Sequence, residues 1–201
     1  MLKIIPLGGL GEIGLNMMVF EYRGTLFIVD CGLMFPEDYM LGVDYVIPDM
    51  TYIKQNVKKI AGILLTHAHL DHVDGIPLLR THHPGVPIHL HPADRPLYDA
   101  APAQAAMFGL PAPDLPEIDC DLITGGSVAI GEVTLEVAFA PGHAPGHVIL
   151  SHLDTETVLV GDVVFRGSIG RTDLPGGDTR TLMTSIQDRI LSLPDRTRLF
   201  P

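Results

Sequence analysis

The sequence predicts one domain of the α/β (α+β) class, on three observations. The chain has 201 residues, a length that one hydrophobic core can organise without staples. Short strand-like runs and helical patterns are interspersed along it. Twice, an apolar strand pattern ends in a loop of ligand-type residues: residues 60–65 lead into His67-Ala68-His69-Leu70-Asp71-His72, and residues 133–140 lead into Pro141-Gly142-His143. The two halves of the chain mirror each other in this respect.

Taken in order, residues 2–7, 17–22 and 25–30 read as strands, the last two joined by a turn at Arg23-Gly24. The intervening Gly9-Leu10-Gly11-Glu12-Ile13-Gly14 satisfies Gly-x-Gly-x-x-Gly after a strand, which suggests a dinucleotide fingerprint. That motif requires a helix after the glycines, and here Asn16 leads into another strand pattern, so the glycines are read as a tight turn with positive φ. Asp30 closes its strand as a turn residue. Residues 31–49, with Gly32, Pro36, Gly42 and Pro48, are expected to be irregular and to lie over the site, and residues 50–58 to hold a short helix. A helix is expected from Asp74, whose side chain would cap it, through Arg80 to a stop at Pro84-Gly85. His82 and His83 fall at its end, where imidazolium suits the helix dipole.

Residues 86–91 alternate as a strand, placing His89 and His91 on one face. That spacing could form a metal pair, but it lacks the strand-loop-helix context of the main cluster. Residues 92–108 are alanine-rich and read as one helix closed by Gly109. Residues 127–130 and 133–140 form a hairpin around Gly131-Glu132. Residues 148–152 and 157–161 form another pair around Asp154-Thr155-Glu156, ending at Asp162. Leu182, Ile186, Ile190 and Leu193 give helical spacing over 179–193, and a strand begins at 197–200.

Composition narrows the function classes. The chain carries 24 acidic against 13 basic residues, a net charge of −11, which opposes a phosphate backbone and makes nucleic acid an unfavoured partner. No apolar run approaches the roughly 18 residues of a membrane span, and glycines interrupt the N-terminal apolar run before a signal-peptide core forms. A cytoplasmic protein with a small-molecule substrate and no membrane partner is expected. Cys31 and Cys120 lie far apart without a Cys-x-x-Cys pair, so they are read as reduced thiols and not as a disulfide or thiolate site.

Three imidazoles and a carboxylate within six residues are the nitrogen and oxygen donors that zinc and similar divalent ions prefer. Thr66-His67-Ala68-His69-Leu70-Asp71-His72, followed by Asp74-Gly75, resembles the His-x-His-x-Asp-His signature of the metallo-β-lactamase superfamily. The resemblance continues at Pro141-Gly142-His143 and at Gly161-Asp162. It implies an αββα sandwich with a metal site at one edge, between the two sheets. It further implies His67, His69 and His143 on one metal, Asp71 and His72 on a second, and Asp162 between them. Asp71 would orient a nucleophile or relay its proton, Asp30 would support the ligands, and His147 is assigned to the loop. Zinc is the expected ion, one or two per chain, with iron and manganese as alternatives.

Residues 1–80 resemble the N-terminal part of RNase J, through Leu7-Gly8-Gly9-Leu10-Gly11-Glu12-Ile13-Gly14, Val29-Asp30-Cys31-Gly32 and Val46-Ile47-Pro48-Asp49. Residues 88–201 resemble small glyoxalase II-like hydrolases, through Ala140-Pro141-Gly142-His143-Ala144-Pro145-Gly146-His147 and Gly170-Arg171-Thr172-Asp173. The single 1–201 domain is thus expected to be a mosaic. Glyoxalase II-like chains continue past a Phe-Pro into Gly-His-Gly, so a domain truncated before its last His ligand is expected, with a frayed C-terminal edge that supports a homodimer. The implied activity is hydrolysis of a small thioester or ester such as an acylglutathione. An RNase J-like phosphodiesterase, an iron persulfide dioxygenase built on His67, His143 and Asp162, and an engineered scaffold of weak activity are the alternatives.

Overall fold

The computed structural model describes residues 2–11, 14–34, 40–43 and 45–201; the Glu12 and Pro36 positions of the expected loops lie outside them. The first sheet has six strands in the order β1-β2-β3-β4-β5-β6: β1 Lys3–Gly8, β2 Met17–Tyr22, β3 Thr25–Val29, β4 Ile60–Leu64, β5 Ile88–Leu90 and β6 Cys120–Asp121. β1, β2 and β3 run antiparallel, and β3 to β6 run parallel. The β2–β3 turn falls where Arg23 and Gly24 take φ of 48° and 84°, the positive-φ pair that matches strand twist in a two-residue hairpin.

The second sheet contains β7 Ser127–Ile130, β8 Val133–Phe139, β9 Val148–His152, β10 Thr157–Leu159 and β13 Arg198–Phe200, in the order β13-β10-β9-β8-β7. A small hairpin, β11 Val164–Phe165 and β12 Ser168–Ile169, follows β10.

The period-two alternation of each strand builds four layers. On β2, Met18 and Phe20 enter the core between the sheets while Met17 and Val19 face the helices. On β3, Phe27 and Val29 point inward and Leu26 and Ile28 outward. The second sheet answers with Val133, Leu135, Val137, Val148, Leu150 and Leu159 inward, and Ile149 and Val158 outward against Leu182, Ile186 and Ile190. The helices against the first sheet are α1 Thr51–Asn56, α2 Leu70–Val73, α3 Ile76–His82, α4 Arg95–Asp99 and α5 Ala101–Met107; α6 Thr179–Ser185 covers the second and runs on as a π-helical turn, Ile186–Ile190. This is the expected αββα sandwich. Among the described residues no helix is long and apolar enough to cross a membrane.

Four expectations need correction. The helix expected at Asp74 starts earlier, with α2 at Leu70, and breaks at Gly75, whose N–H bonds the Cys31 carbonyl at 2.8 Å. Asp74 caps no helix start and instead accepts the Leu33 N–H at 2.8 Å. The alanine-rich run divides into a 3₁₀ turn, α4 and α5, because Pro92, Pro96 and Pro102 each lack a donor and each opens a new helical turn. The 197–200 strand, expected to fray or borrow contacts from a neighbouring chain, is paired within its own sheet: β13 lies parallel to β10, and Val160 N–H bonds the Phe200 carbonyl at 2.8 Å. β6, β11 and β12 are two residues long, too short to leave a periodic signal in the sequence.

Candidate metal centre

Three adjacent parallel strands deliver the site. Asp30 follows β3, Thr66 to His72 follow β4, and Asp94 follows β5, so their side chains gather at one end of the sheet, beside the 141–147 loop and Asp162 of the second sheet. His67 Nε2, His69 Nδ1 and His143 Nε2 form a triangle with sides of 3.0, 2.9 and 3.2 Å. Tetrahedral nitrogens at zinc-like bond lengths of about 2.0–2.1 Å would stand about 3.3 Å apart, so one small divalent ion fits the three. All three imidazoles are buried. Burial first, and the neighbouring imidazoles second, hold His67 well below the ordinary histidine range and His69 at about 3, which leaves their lone pairs free to coordinate.

Asp162 stands beside this triangle with its two oxygens divided. Oδ2 lies 3.5 Å from His143 Nε2 and Oδ1 lies 3.4 Å from His72 Nε2. Asp71 Oδ2 approaches His72 Nε2 to 3.9 Å. All six candidates, His67, His69, Asp71, His72, His143 and Asp162, thus share one pocket, and two overlapping donor groups result: His67, His69 and His143, and His67, His72 and Asp162. Burial alone would lower His72 and raise Asp162. The carboxylates of Asp30, Asp162 and Asp71 instead raise His72 well above its ordinary value, and His72 and His143 hold Asp162 far down. A field that favours positive charge at this point favours a metal cation equally.

The surrounding bonds set ring orientation. His143 Nδ1–H donates to the Arg171 carbonyl at 2.7 Å, which leaves Nε2 as the free donor. His67 Nδ1 lies 3.1 Å from Thr66 Oγ1, and that hydroxyl donates to Asp30 Oδ2 at 2.8 Å. Asp30 also receives the Thr66 N–H at 2.8 Å and sits 3.0 Å from His72 Nδ1, so one carboxylate holds rings from both donor groups. Gly32 stands two residues after Asp30; a Cβ there would fall 1.7 Å from the Asp71 carbonyl oxygen.

The expected loop residue His147 is a wall of the site. Its buried ring stacks on His67 at 4.8 Å, and its Nε2 accepts the Asp162 N–H at 3.1 Å. His89 and His91 stay outside: His89 meets the edge of Phe27 and His91 stacks on Phe139.

Sequence reasoning missed Asp94 and Gln104. The Asp94 carboxylate is fully buried and accepts the N–H groups of Ala68 and Gly146, one from each ligand loop. Gln104 brackets the first loop, accepting the Leu70 N–H and donating to the Ala68 carbonyl. Neither residue belongs to a spacing motif, and both fall inside the 92–108 run that was read as one helix. Asp94→Asn would set an NH₂ group against one of the two amides, a cost of about 1.5–3 kcal/mol. Burial raises the Asp94 carboxyl to about 6, its two amide bonds opposing. Between about pH 4 and 6 the native state therefore holds a proton that the unfolded chain has released, so this group's stabilisation is present at low pH and lost as pH rises through 6. Denaturant unfolding of wild type and D94N across pH 4–8 should show both the cost and the loss of that slope.

Comparison with known proteins follows the same lines. The model of the Metallo-beta-lactamase superfamily matches residues 10–200. A Bacillus subtilis protein described as "Probable metallo-hydrolase YqgX" is 40% identical over 153 residues, which are 73% of this chain and 69% of that protein. Ribonuclease J of Synechocystis is 56% identical over 75 residues; these are 37% of this chain but only 12% of the ribonuclease. Among solved structures, TTHA1623 "in a di-iron-bound form" superposes with a TM-score of 0.75 at 35% identity, covering 93% of this chain and 87% of that one.

Proposed function

Because the chain belongs to the metallo-beta-lactamase superfamily as a metallo-hydrolase, we propose that it hydrolyses a small thioester or ester, such as an acylglutathione, at a two-ion centre. The observation that carries this reading is the division of Asp162 between His143 and His72, one oxygen on each. Three imidazoles stand on one side of that carboxylate, and His72 and Asp71 stand on the other.

His67, His69 and His143 would hold a divalent ion, which would supply Lewis acidity and make a water more acidic. The chain's own groups do the rest. Asp162 divides its charge between the two positions, and Asp71, partly open to solvent, is placed to orient an incoming water and take its proton. Arg171 fixes His143 through its carbonyl while its guanidinium forks onto Asp173 with two bonds of 2.8 Å, so the loop that orients one imidazole is itself held. The acidic surface, −11 overall, supports a small substrate over a polyanion.

The second reading, cleavage of an RNA phosphodiester, is favoured by the 56% identity to ribonuclease J over 75 residues. Assay of the zinc-, manganese- and iron-loaded protein against a small thioester and against single-stranded RNA separates the two. Chelator-sensitive thioester hydrolysis with RNA left intact is the expected result. RNA cleavage with thioesters untouched would replace the first reading with the second.

A further inference from the structure

The glycine-rich segment between β1 and β2 leads to Asn16, whose carboxamide faces the candidate metal centre. Gly9, Gly11 and Gly14 take φ of 86°, 82° and 84°, and Leu15 follows at 57°, a region that a branched-chain-sized L residue enters only when the surroundings hold it there. The holding contacts are main-chain bonds: Leu15 N–H to the Leu33 carbonyl at 3.1 Å and Gly32 N–H to the Asn16 carbonyl at 2.9 Å. A Cβ on Gly9 would stand 2.9 Å from Asn16 Oδ1, so the glycine makes room for that side chain. These bonds fix Asn16 to the Cys31-Gly32-Leu33 segment, which carries Asp30 at its head and packs on Asp71.

The carboxamide of Asn16 then lies among the donors of the second position. Nδ2 is 2.8 Å from His72 Nε2, 3.4 Å from the Asp71 carbonyl and 3.5 Å from Asp71 Oδ2. A cavity of about 20 Å³ lies alongside, bounded by Asn16, Asp30, Thr66, His72 and Gly161; it has the size of one water. The two ends of a carboxamide are nearly equal in shape, and its oxygen is a hard neutral donor suited to divalent ions.

We infer that Asn16 is a protein ligand of the second ion: with a metal between Asp71, His72 and Asp162, its carboxamide turns by half a rotation and presents Oδ1 in place of the bond that Nδ2 makes to His72. The inference rests on the two-ion reading above. It also gives the Gly-x-Gly-x-x-Gly run a chemical purpose, since the turn aims one amide at one metal position.

The test uses the full chain, stripped by chelator and titrated with Zn²⁺ and, separately, with Co²⁺, whose visible absorption reports ligand type and number. Wild type should take up two ions. Asn16→Leu, close in shape but without a donor, should weaken the second ion by roughly 10- to 100-fold and leave the first unchanged. Asn16→Asp should hold the second ion at least as tightly as wild type and shift its Co²⁺ spectrum, because a carboxylate replaces an amide oxygen. Two ions bound to N16L with wild-type affinities would overturn the inference while leaving the two-ion reading standing. One ion bound to wild type would overturn both. An N16D spectrum identical to wild type would also overturn the inference, and it does so without N16L, should that variant not fold.

Discussion

His143→Ala is expected to cost the protein at least one metal equivalent and more than ~100-fold in hydrolytic rate, since removing a group that merely orients a ligand already costs about 10- to 100-fold. His143 Nε2 closes the nitrogen triangle at 2.9 Å from His69 and 3.2 Å from His67, and it faces Asp162 at 3.5 Å. Its loss leaves two imidazoles where a tetrahedral ion takes three or four protein donors, and it strips Asp162 Oδ2 of its neighbour, so the second position is disturbed too. The control is His89→Ala. His89 lies on β5 against Phe27 and belongs to neither donor group, and metal content and rate should stay near wild type. Metal per chain and thioester turnover measured on the two variants decide the matter; metal lost in H89A and kept in H143A would place the centre elsewhere.

Asp30→Asn should lower metal affinity by roughly 10- to 100-fold with little loss of fold. Asp30 has φ of 56°, a conformation that aspartate and asparagine tolerate better than other side-chain-bearing residues, through local hydrogen bonds. The substitution therefore keeps the backbone and changes only the chemistry. The aspartate accepts from the Thr66 N–H and hydroxyl and pairs with His72 Nδ1; the amide supplies one acceptor and one donor, so an NH₂ group opposes the Thr66 hydroxyl or the His72 ring. Both donor groups lose orientation together, because His67 reaches Asp30 through Thr66. Circular dichroism matched to wild type, with weaker metal uptake at both positions, is the expected outcome. Unchanged uptake would mean that Asp30 serves the backbone turn alone.

The elements that were legible in the sequence are those governed by local periodicity. β2 and β9 have the bounds read from the sequence, because each is a short run with consecutive apolar residues, buried on both faces over most of its length and bounded by turn residues. The expected long helix at 92–108 was not legible as three pieces: composition favoured helix throughout, and only the positions of three prolines relative to packing decided where each piece begins. The positive φ of Gly9, Gly11 and Gly14 was legible in the sequence, yet the position of Asn16 beyond them was not, since the contact between Asn16 and His72 spans 56 positions in the chain.

By itself the sequence determined the identity and local clustering of the candidate donors and the two strand ends that bear them. His67, His69, Asp71 and His72 are neighbours along six residues, so their proximity follows from the chain's covalent continuity. Tertiary structure decided everything that required a second segment to arrive. Only the stacking of two sheets sets His143 within 3 Å of His69 and spreads Asp162 between two positions. Only the parallel order β3-β4-β5 brings Asp30 and Asp94 to flank the ligand loop. The physical reason is the same in each case: a side chain's type is a local property, whereas its partners are set by hydrophobic burial across layers, which pairs residues by the faces they occupy and without regard to their separation in sequence.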